Sequence, residues 1–164
     1  MKTIAPLDFY GHTIFCEDIR QETTGKVTLI GVYTDHMVVH GTFPVLLPKF
    51  GLWIQYNQRP DHFMRPVIFA IFLPEDPDDQ PSIELQVPDE QIDAAIANSG
   101  SLKKNVSLSE KNPVFVGLGS RTLFSPFIIQ SPGLIRVRAI RNNELVRLGS
   151  LPVYAASDPN APVS

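Results

Sequence analysis

The stretch that decides the fold is residues 14–34, which have the sequence IFCEDIRQETTGKVTLIGVYT. Apolar and β-branched residues fill both of its arms, and Thr24-Gly25 lies between them. Two β-type arms around a glycine-containing turn predict a β-hairpin. If Thr24-Gly25 forms a two-residue turn, Asp18 lies opposite Gly31, and the glycine leaves room beside the carboxylate.

The first arm of this hairpin carries polar residues at alternate positions. We expect Cys16, Asp18 and Arg20 on one face of the strand, with Asp18 and Arg20 close enough for an ion pair. Two interpretations follow. In one, these residues form a small polar pocket beside Tyr33 that binds a ligand. In the other, the ion pair closes one end of the fold, and Cys16 is simply a small hydrophobic residue.

Strand-type patterns continue along the chain. Residues 67–73 are an apolar run that we expect to be buried on both faces, and residues 83–87 alternate between apolar and polar. Residues 88–97 are the only good helix candidate, and Gly100 is expected to end it. Another predicted strand has one apolar face made of Phe50, Leu52, Ile54 and Tyr56.

The number and spacing of these elements indicate the fold class. About eight to ten short strands with one short helix predict an all-β chain folded as an antiparallel, immunoglobulin-like β-sandwich. A partly closed β-barrel is the alternative. We expect residues 1–154 to form a single domain, residues 101–112 to form a polar loop, and residues 155–164 to form a flexible C-terminal tail.

The last two predicted strands, residues 134–140 and 145–153, carry arginines on one face. Because Asn142-Asn143 tolerates positive φ, it is expected to form the turn between them. Arg136, Arg138 and Arg147 then share a face, which we call the arginine stripe. Arg138 lies directly opposite Arg147, a pairing that is unfavourable unless an anion intervenes. Either acids of residues 1–100 cover the stripe, or it binds an acidic protein or a phosphorylated ligand.

Charge and composition limit the classes of partner that are expected for this chain. The net charge is −3 and the isoelectric point is about 5.7, which gives no support for nucleic-acid binding. Residues 1–100 hold 6 Lys+Arg against 14 Asp+Glu, whereas residues 101–164 hold 8 against 3. A single cysteine favours a reducing compartment, and no segment has the pattern of a secretory signal or a membrane span. We therefore expect a cytoplasmic protein with no membrane contact.

The sequence offers little catalytic chemistry. His36 and His40 would lie ~13 Å apart on a strand, too far for one metal ion, and with His12 and His62 they are expected to be scattered loop residues. Cys16 has no neighbour that would lower its thiol pKa. Residues 75–79 lack the glycine and terminal glutamate of a calcium loop. We therefore expect no enzymatic activity, no metal and no cofactor.

Several phrases resemble an uncharacterised family found in bacteria and associated with mobile or phage DNA. They are Phe15-Cys16-Glu17-Asp18-Ile19-Arg20, Gly25-Lys26, Leu29-Ile30-Gly31-Val32-Tyr33, and Phe43-Pro44 followed by Leu47-Pro48-Lys49. The resemblance covers residues 14–56 well and the rest only in its alternating strands. It implies a bacterial or phage origin and carries no known activity, so it assigns no catalytic residue.

Together these patterns predict a non-enzymatic binding or accessory module with an unidentified protein partner. The alternative is a sensor or sequestering protein that takes a small, nucleotide-like anion through the arginine stripe. The candidate binding residues are Arg136, Arg138, Arg147, Asp18, Arg20 and Tyr33.

Overall fold

Strands dominate the computed structural model, which describes residues 8–105, 115–159 and 161–162. A 3-10 turn spans Pro60–His62, and one α-helix, α1, spans Asp89–Asn105. The strands are β1 Phe9–Gln21, β2 Val27–Tyr33, β3 Met37–Val39, β4 Val45–Leu47, β5 Phe50–Gln58, β6 Val67–Phe72, β7 Ile83–Gln86, β8 Val116–Phe124, β9 Phe127–Ile129, β10 Gly133–Arg141 and β11 Glu144–Ala155. The prediction of an all-β chain is confirmed.

The strands form two main sheets and a small ribbon. One sheet has the order β2-β1-β5-β8 and the other has the order β3-β11-β10-β6-β7, while β4 pairs with β9. All pairs are antiparallel except β3 with β11. The chain crosses directly from one main sheet to the other between β2 and β3, between β5 and β6, and between β7 and β8, which is consistent with a β-sandwich. The described strands form no closed barrel, and their arrangement is consistent with the predicted sandwich.

The core lies between the two sheets. The predicted apolar face of β5 is fully buried, and it meets Phe69 and Ile71 of β6 and Ile135 and Val137 of β10 in one hydrophobic cluster. The ring of Phe50 also stacks on that of Phe127, with centroids 4.7 Å apart. The period-2 pattern of the sequence therefore identified the buried face correctly.

The turn of the first hairpin differs from the prediction. Gln21 pairs with Val27, so residues 22–26 form the connection, and Asp18 lies opposite Ile30 rather than Gly31. A two-residue turn requires positive φ at one or both central residues, which is costly for the β-branched Thr24. The longer connection needs it only at Gly25, whose φ is +80°. Gly31 therefore does not provide the space beside Asp18 that was predicted.

Helix α1 is longer than expected, because it continues through Gly100 to Asn105. A glycine inside a helix costs about 1 kcal/mol but does not by itself end it. The first turn is fixed from outside, since the guanidinium of Arg65 contacts Asp89 at 3.4 Å and Asp93 at 2.5 Å. The described part of the chain has no helix that is long and apolar enough to cross a membrane.

Two other predicted segments need adjustment. Residues 101–105 are helical rather than loop, and residues 106–112 of the predicted loop lie outside the described residues. At the C-terminus β11 extends to Ala155, and the N–H of Ala156 donates to the carbonyl of Val39 at 2.9 Å. The start of the predicted tail is thus held at the sheet edge, while residues 160, 163 and 164 lie outside the described residues.

Candidate functional site

The hairpin of β10 and β11 brings the arginine stripe together as predicted. Asn142 and Asn143 form the turn with φ values of +43° and +63°, and Arg138 pairs with Arg147. Because apolar side chains alternate into the core, the arginines lie on the outer face of the sheet.

A β-bulge that the sequence did not predict shapes the space beside these arginines. The register shifts between Val137 and Arg138, so Val137 pairs with Gly149 and Arg136 pairs with Ser150. Two small residues therefore lie next to the guanidiniums. A cavity of about 370 Å³, which we call the arginine recess, is lined by Asp78, Leu134, Arg136, Val137, Arg138, Arg147, Gly149 and Ser150.

Phe72 forms the apolar support of the recess. The guanidinium carbons of Arg136 and Arg138 lie 5.0 Å and 5.5 Å from the centroid of its ring. Phe72 is only 1% exposed although it lies on the outer face of β6, opposite to the core-facing Phe69 and Ile71. Arginine side chains cover apolar surface in this way while their cation–π contacts hold the guanidiniums in place. This explains why β6 is largely buried on both faces, as predicted.

Asp78 supplies a negative charge beside two arginines of the stripe, Arg136 and Arg138. Its Oδ1 contacts Nη1 of Arg136 and lies 3.8 Å from Nη2 of Arg138. Of the two alternatives for the stripe, coverage by an acid of residues 1–100 therefore holds for these two arginines. Arg147 is exposed and makes no ion pair within the described part of the chain.

The loop between β6 and β7 holds Asp78 in position through Asp76. The Asp76 carboxylate accepts hydrogen bonds from the N–H of Leu73 at 2.8 Å and from both the N–H and the hydroxyl of Ser82 at 2.8 Å and 2.7 Å. Burial alone would raise the pKa of Asp76, but these hydrogen bonds lower it below its ordinary value. The carbonyl of Asp76 also accepts a bond from Nη2 of Arg136 at 2.5 Å, which ties the loop to the stripe.

The recess retains excess positive charge. Asp78 is the only acidic residue in the lining, which contains three guanidiniums. The Nε atoms of Arg136 and Arg138 are buried and have no hydrogen-bond partner among the described residues. An oxyanion with several acceptor oxygens would match the excess charge of the recess.

Asp18, Arg20 and Tyr33 lie in the other sheet, apart from the arginine stripe. The Asp18 carboxylate contacts Nζ of Lys49 at 3.0 Å and Nε of Arg20 at 3.3 Å. The predicted ion pair therefore exists, and Lys49 is a partner that the sequence did not suggest. A groove of about 430 Å³ adjoins it, lined by Glu17, Asp18, Ile30, Tyr33, Leu47, Pro48 and Lys49. Tyr33 is half-buried there, and burial raises its pKa.

This ion pair gives a pH prediction. The hydrogen bond from Lys49, with that from Arg20, lowers the pKa of Asp18. A lowered pKa in the folded state stabilises the fold above the ordinary pKa of about 3.9, and that contribution is lost as pH falls through the folded value. Asp18→Asn should therefore lower Tm near pH 7, and the difference from wild type should narrow as pH falls below about 3.9. Thermal unfolding across this range measures it, and an equal deficit at every pH would contradict it.

Asp79→Asn is a suitable control for that experiment. Asp79 is exposed and has no ion pair within the described residues, so its substitution should leave Tm nearly unchanged at either pH.

The remaining candidate groups have ordinary structural settings. Cys16 is fully buried, its thiol donates to the carbonyl of Gly51 at 3.6 Å, and burial raises its pKa. His36 contacts Asp35 at 3.0 Å and packs edge-on against Tyr154. Across residues 8–105, 115–159 and 161–162, no three His, Cys, Asp or Glu side chains form a cluster that could hold a metal ion.

Arg141 is a further residue whose importance the sequence did not indicate. Arg141 pairs with Glu144 at 3.1 Å next to the turn of the closing hairpin, and it is only 5% exposed. Its guanidinium carbon lies 3.8 Å from the centroid of the Phe9 ring. The alternation of β10 places Arg141 on the inner face, and that position was the available signal.

Comparison with known proteins found no family model, no curated protein and no solved structure that matches this chain.

Proposed function

We propose that this chain is a cytoplasmic, non-enzymatic binding module of bacterial or phage origin, and that the arginine stripe is its binding surface. The family resemblance of residues 14–56 supports the origin. The partner is an acidic protein segment that places carboxylates or phosphoryl groups against the stripe. The observation that carries the proposal is the excess of three guanidiniums over one carboxylate in a single recess.

The geometry of the stripe supports recognition rather than mere solvation. Phe72 holds two guanidiniums side by side, so little conformational entropy is lost when they bind an anion. Arginine is also the residue type that recognises carboxylate and phosphate in a bidentate manner.

A second candidate function is sensing or sequestering a small, nucleotide-like anion. The recess favours this alternative because its volume of about 370 Å³ lies in the usual range of ~300–1,000 Å³ for small-molecule sites. Two probes separate the candidates: a fluorescein-labelled hexaglutamate peptide represents an acidic protein segment, and ADP represents a small anion.

The test is the double variant Arg136→Ala with Arg138→Ala. Loss of charge-assisted hydrogen bonds should weaken binding of the recognised probe roughly tenfold. The difference from wild type should be larger at low salt, where charges are screened least. Fluorescence anisotropy for the peptide and calorimetry for ADP, each at two salt concentrations, measure it.

Arg121→Ala is the matched control, because Arg121 is an exposed arginine on β8 of the other sheet. It removes one positive charge without touching the recess and should leave binding nearly unchanged. Circular dichroism must show that the double variant remains folded, since it also uncovers Phe72. If the folded double variant binds both probes as tightly as wild type does, the stripe is a solvated face and the proposal is wrong.

A further inference from the structure

We infer that Asp78 is a displaceable internal ligand of the arginine recess, and that the external ligand which displaces it is a multiply charged phosphoryl group. This inference rests on the proposed function of the arginine stripe and specifies both its ligand class and its regulation. In the unliganded protein Asp78 occupies the position at which a phosphoryl oxygen binds. The site is therefore partly blocked by the protein's own carboxylate.

The position of Asp78 is the first argument. A single carboxylate oxygen faces guanidinium nitrogens of both Arg136 and Arg138, which is the arrangement that a bound oxyanion adopts. The loop that presents it is anchored at several points, because Asp76 bonds to Leu73 and Ser82 and the hydroxyl of Ser131 donates to Glu75 at 2.5 Å. The backbone is thus held close to the stripe while only the Asp78 side chain reaches over it.

The exposure of Asp78 is the second argument. Its side chain is 83% exposed, whereas those of Arg136 and Arg138 are only 16% and 15% exposed. Ion pairs with such an exposed partner contribute little to stability, because water solvates the carboxylate almost as well. Asp78 can therefore leave at low cost, while the arginines remain in place on Phe72.

The balance of charge is the third argument. Asp78 brings one negative charge to a recess with three guanidiniums, and it leaves Arg147 without an ion pair among the described residues. A phosphoryl group brings about 1.5–2 negative charges and three acceptor oxygens. It offsets more of the positive charge than a second carboxylate does, so phosphoryl ligands should compete with Asp78 better than carboxylates do.

The inference predicts tighter anion binding when Asp78 is neutralised. When only a fraction of the protein has an accessible site, the apparent affinity falls by that fraction. Asp78→Asn removes the competitor and should bind pyrophosphate about two- to fivefold more tightly than wild type does, as expected for loss of an exposed ion pair. Isothermal titration calorimetry at fixed salt measures this change. ADP should show a similar gain, because it presents the same phosphoryl chemistry.

Two variants control for charge. Asp79→Asn removes the same charge from the same loop without an arginine contact, and we expect less than about a twofold change. Asp78→Glu restores the carboxylate and should restore weaker, near wild-type binding. If Asp78→Asn binds pyrophosphate no more tightly than Asp79→Asn does, or if the gain occurs only with ADP, the inference is wrong.

Failure of this inference can be told from failure of the proposed function. If pyrophosphate binding depends on Arg136 and Arg138 but is insensitive to Asp78, the stripe binds anions and only the internal-ligand role fails. If neither wild type nor Asp78→Asn binds pyrophosphate, the inference also fails, and the hexaglutamate titration of the arginine double variant then decides the proposed function independently.

Discussion

Phe69→Ala is expected to destabilise the protein by roughly 3–5 kcal/mol, the usual cost of removing a buried phenyl ring. Phe69 is fully buried, and it lies on β6 between its pairing partners Ala139 of β10 and Leu85 of β7. A strand with a partner on each side cannot shift to fill the space that the ring leaves. Urea denaturation, compared at equal m value, measures the loss of unfolding free energy.

Ile68 provides a control on the same strand. It points to the opposite face and is half-buried, so Ile68→Ala should cost distinctly less than Phe69→Ala. A loss below about 1 kcal/mol for Phe69→Ala would mean that this segment is not in the core. That result would contradict the packing of Phe69 between the two sheets.

The parts of the fold that depend on alternation could be predicted from the sequence. Burial of one face of β5 follows directly from the period of 2, because a strand can bury only every second side chain on one side. The turn of the closing hairpin and the pairing of Arg138 with Arg147 were predicted correctly, since Asn142-Asn143 is a dipeptide that accepts positive φ at both positions. The pairs beyond the bulge were not. The buried face of β5 and the turn of the closing hairpin both follow from residues that are close together in the sequence.

The opening hairpin shows where local chemistry is insufficient. Its turn contains one glycine at position 25, and connections of different lengths can use a single residue with positive φ. A change of one residue in the connection moves every cross-strand pair, which is why Asp18 faces Ile30. Only packing against the rest of the sheet selects between such registers.

The candidate site was only partly predictable, because it combines local strand alternation with contacts between distant parts of the chain. The shared face of Arg136 and Arg138 follows from strand alternation, but the contact with Asp78 spans 58 positions from Arg136 and depends on how a loop folds back. The bulge that places Gly149 and Ser150 in the recess had one local signal, because Gly149 is an isolated glycine within a strand pattern and has a φ of +150°. Long-range pairing thus decides which anion covers the stripe.

The second large effect is expected at Arg141, where Arg141→Ala should destabilise the protein by about 2–4 kcal/mol. The buried guanidinium stacks on Phe9 and contacts Glu144 at 3.1 Å, so its removal deletes a desolvated cation–π contact and leaves a cavity at the end of the sandwich. Tyr56 lies in the same region, and Arg141 offsets part of the increase that burial causes in the pKa of Tyr56. Thermal and urea unfolding measure the loss.

Two companion variants separate charge from packing at this position. Arg147→Ala removes an exposed arginine from the same hairpin and should change stability by less than about 0.5 kcal/mol. Arg141→Met keeps most of the apolar volume without the charge, and it should recover part of the loss if packing dominates. Should Arg141→Ala be no less stable than Arg147→Ala, the guanidinium does not close the end of the sandwich. The contact with Phe9 would then contribute nothing to the fold.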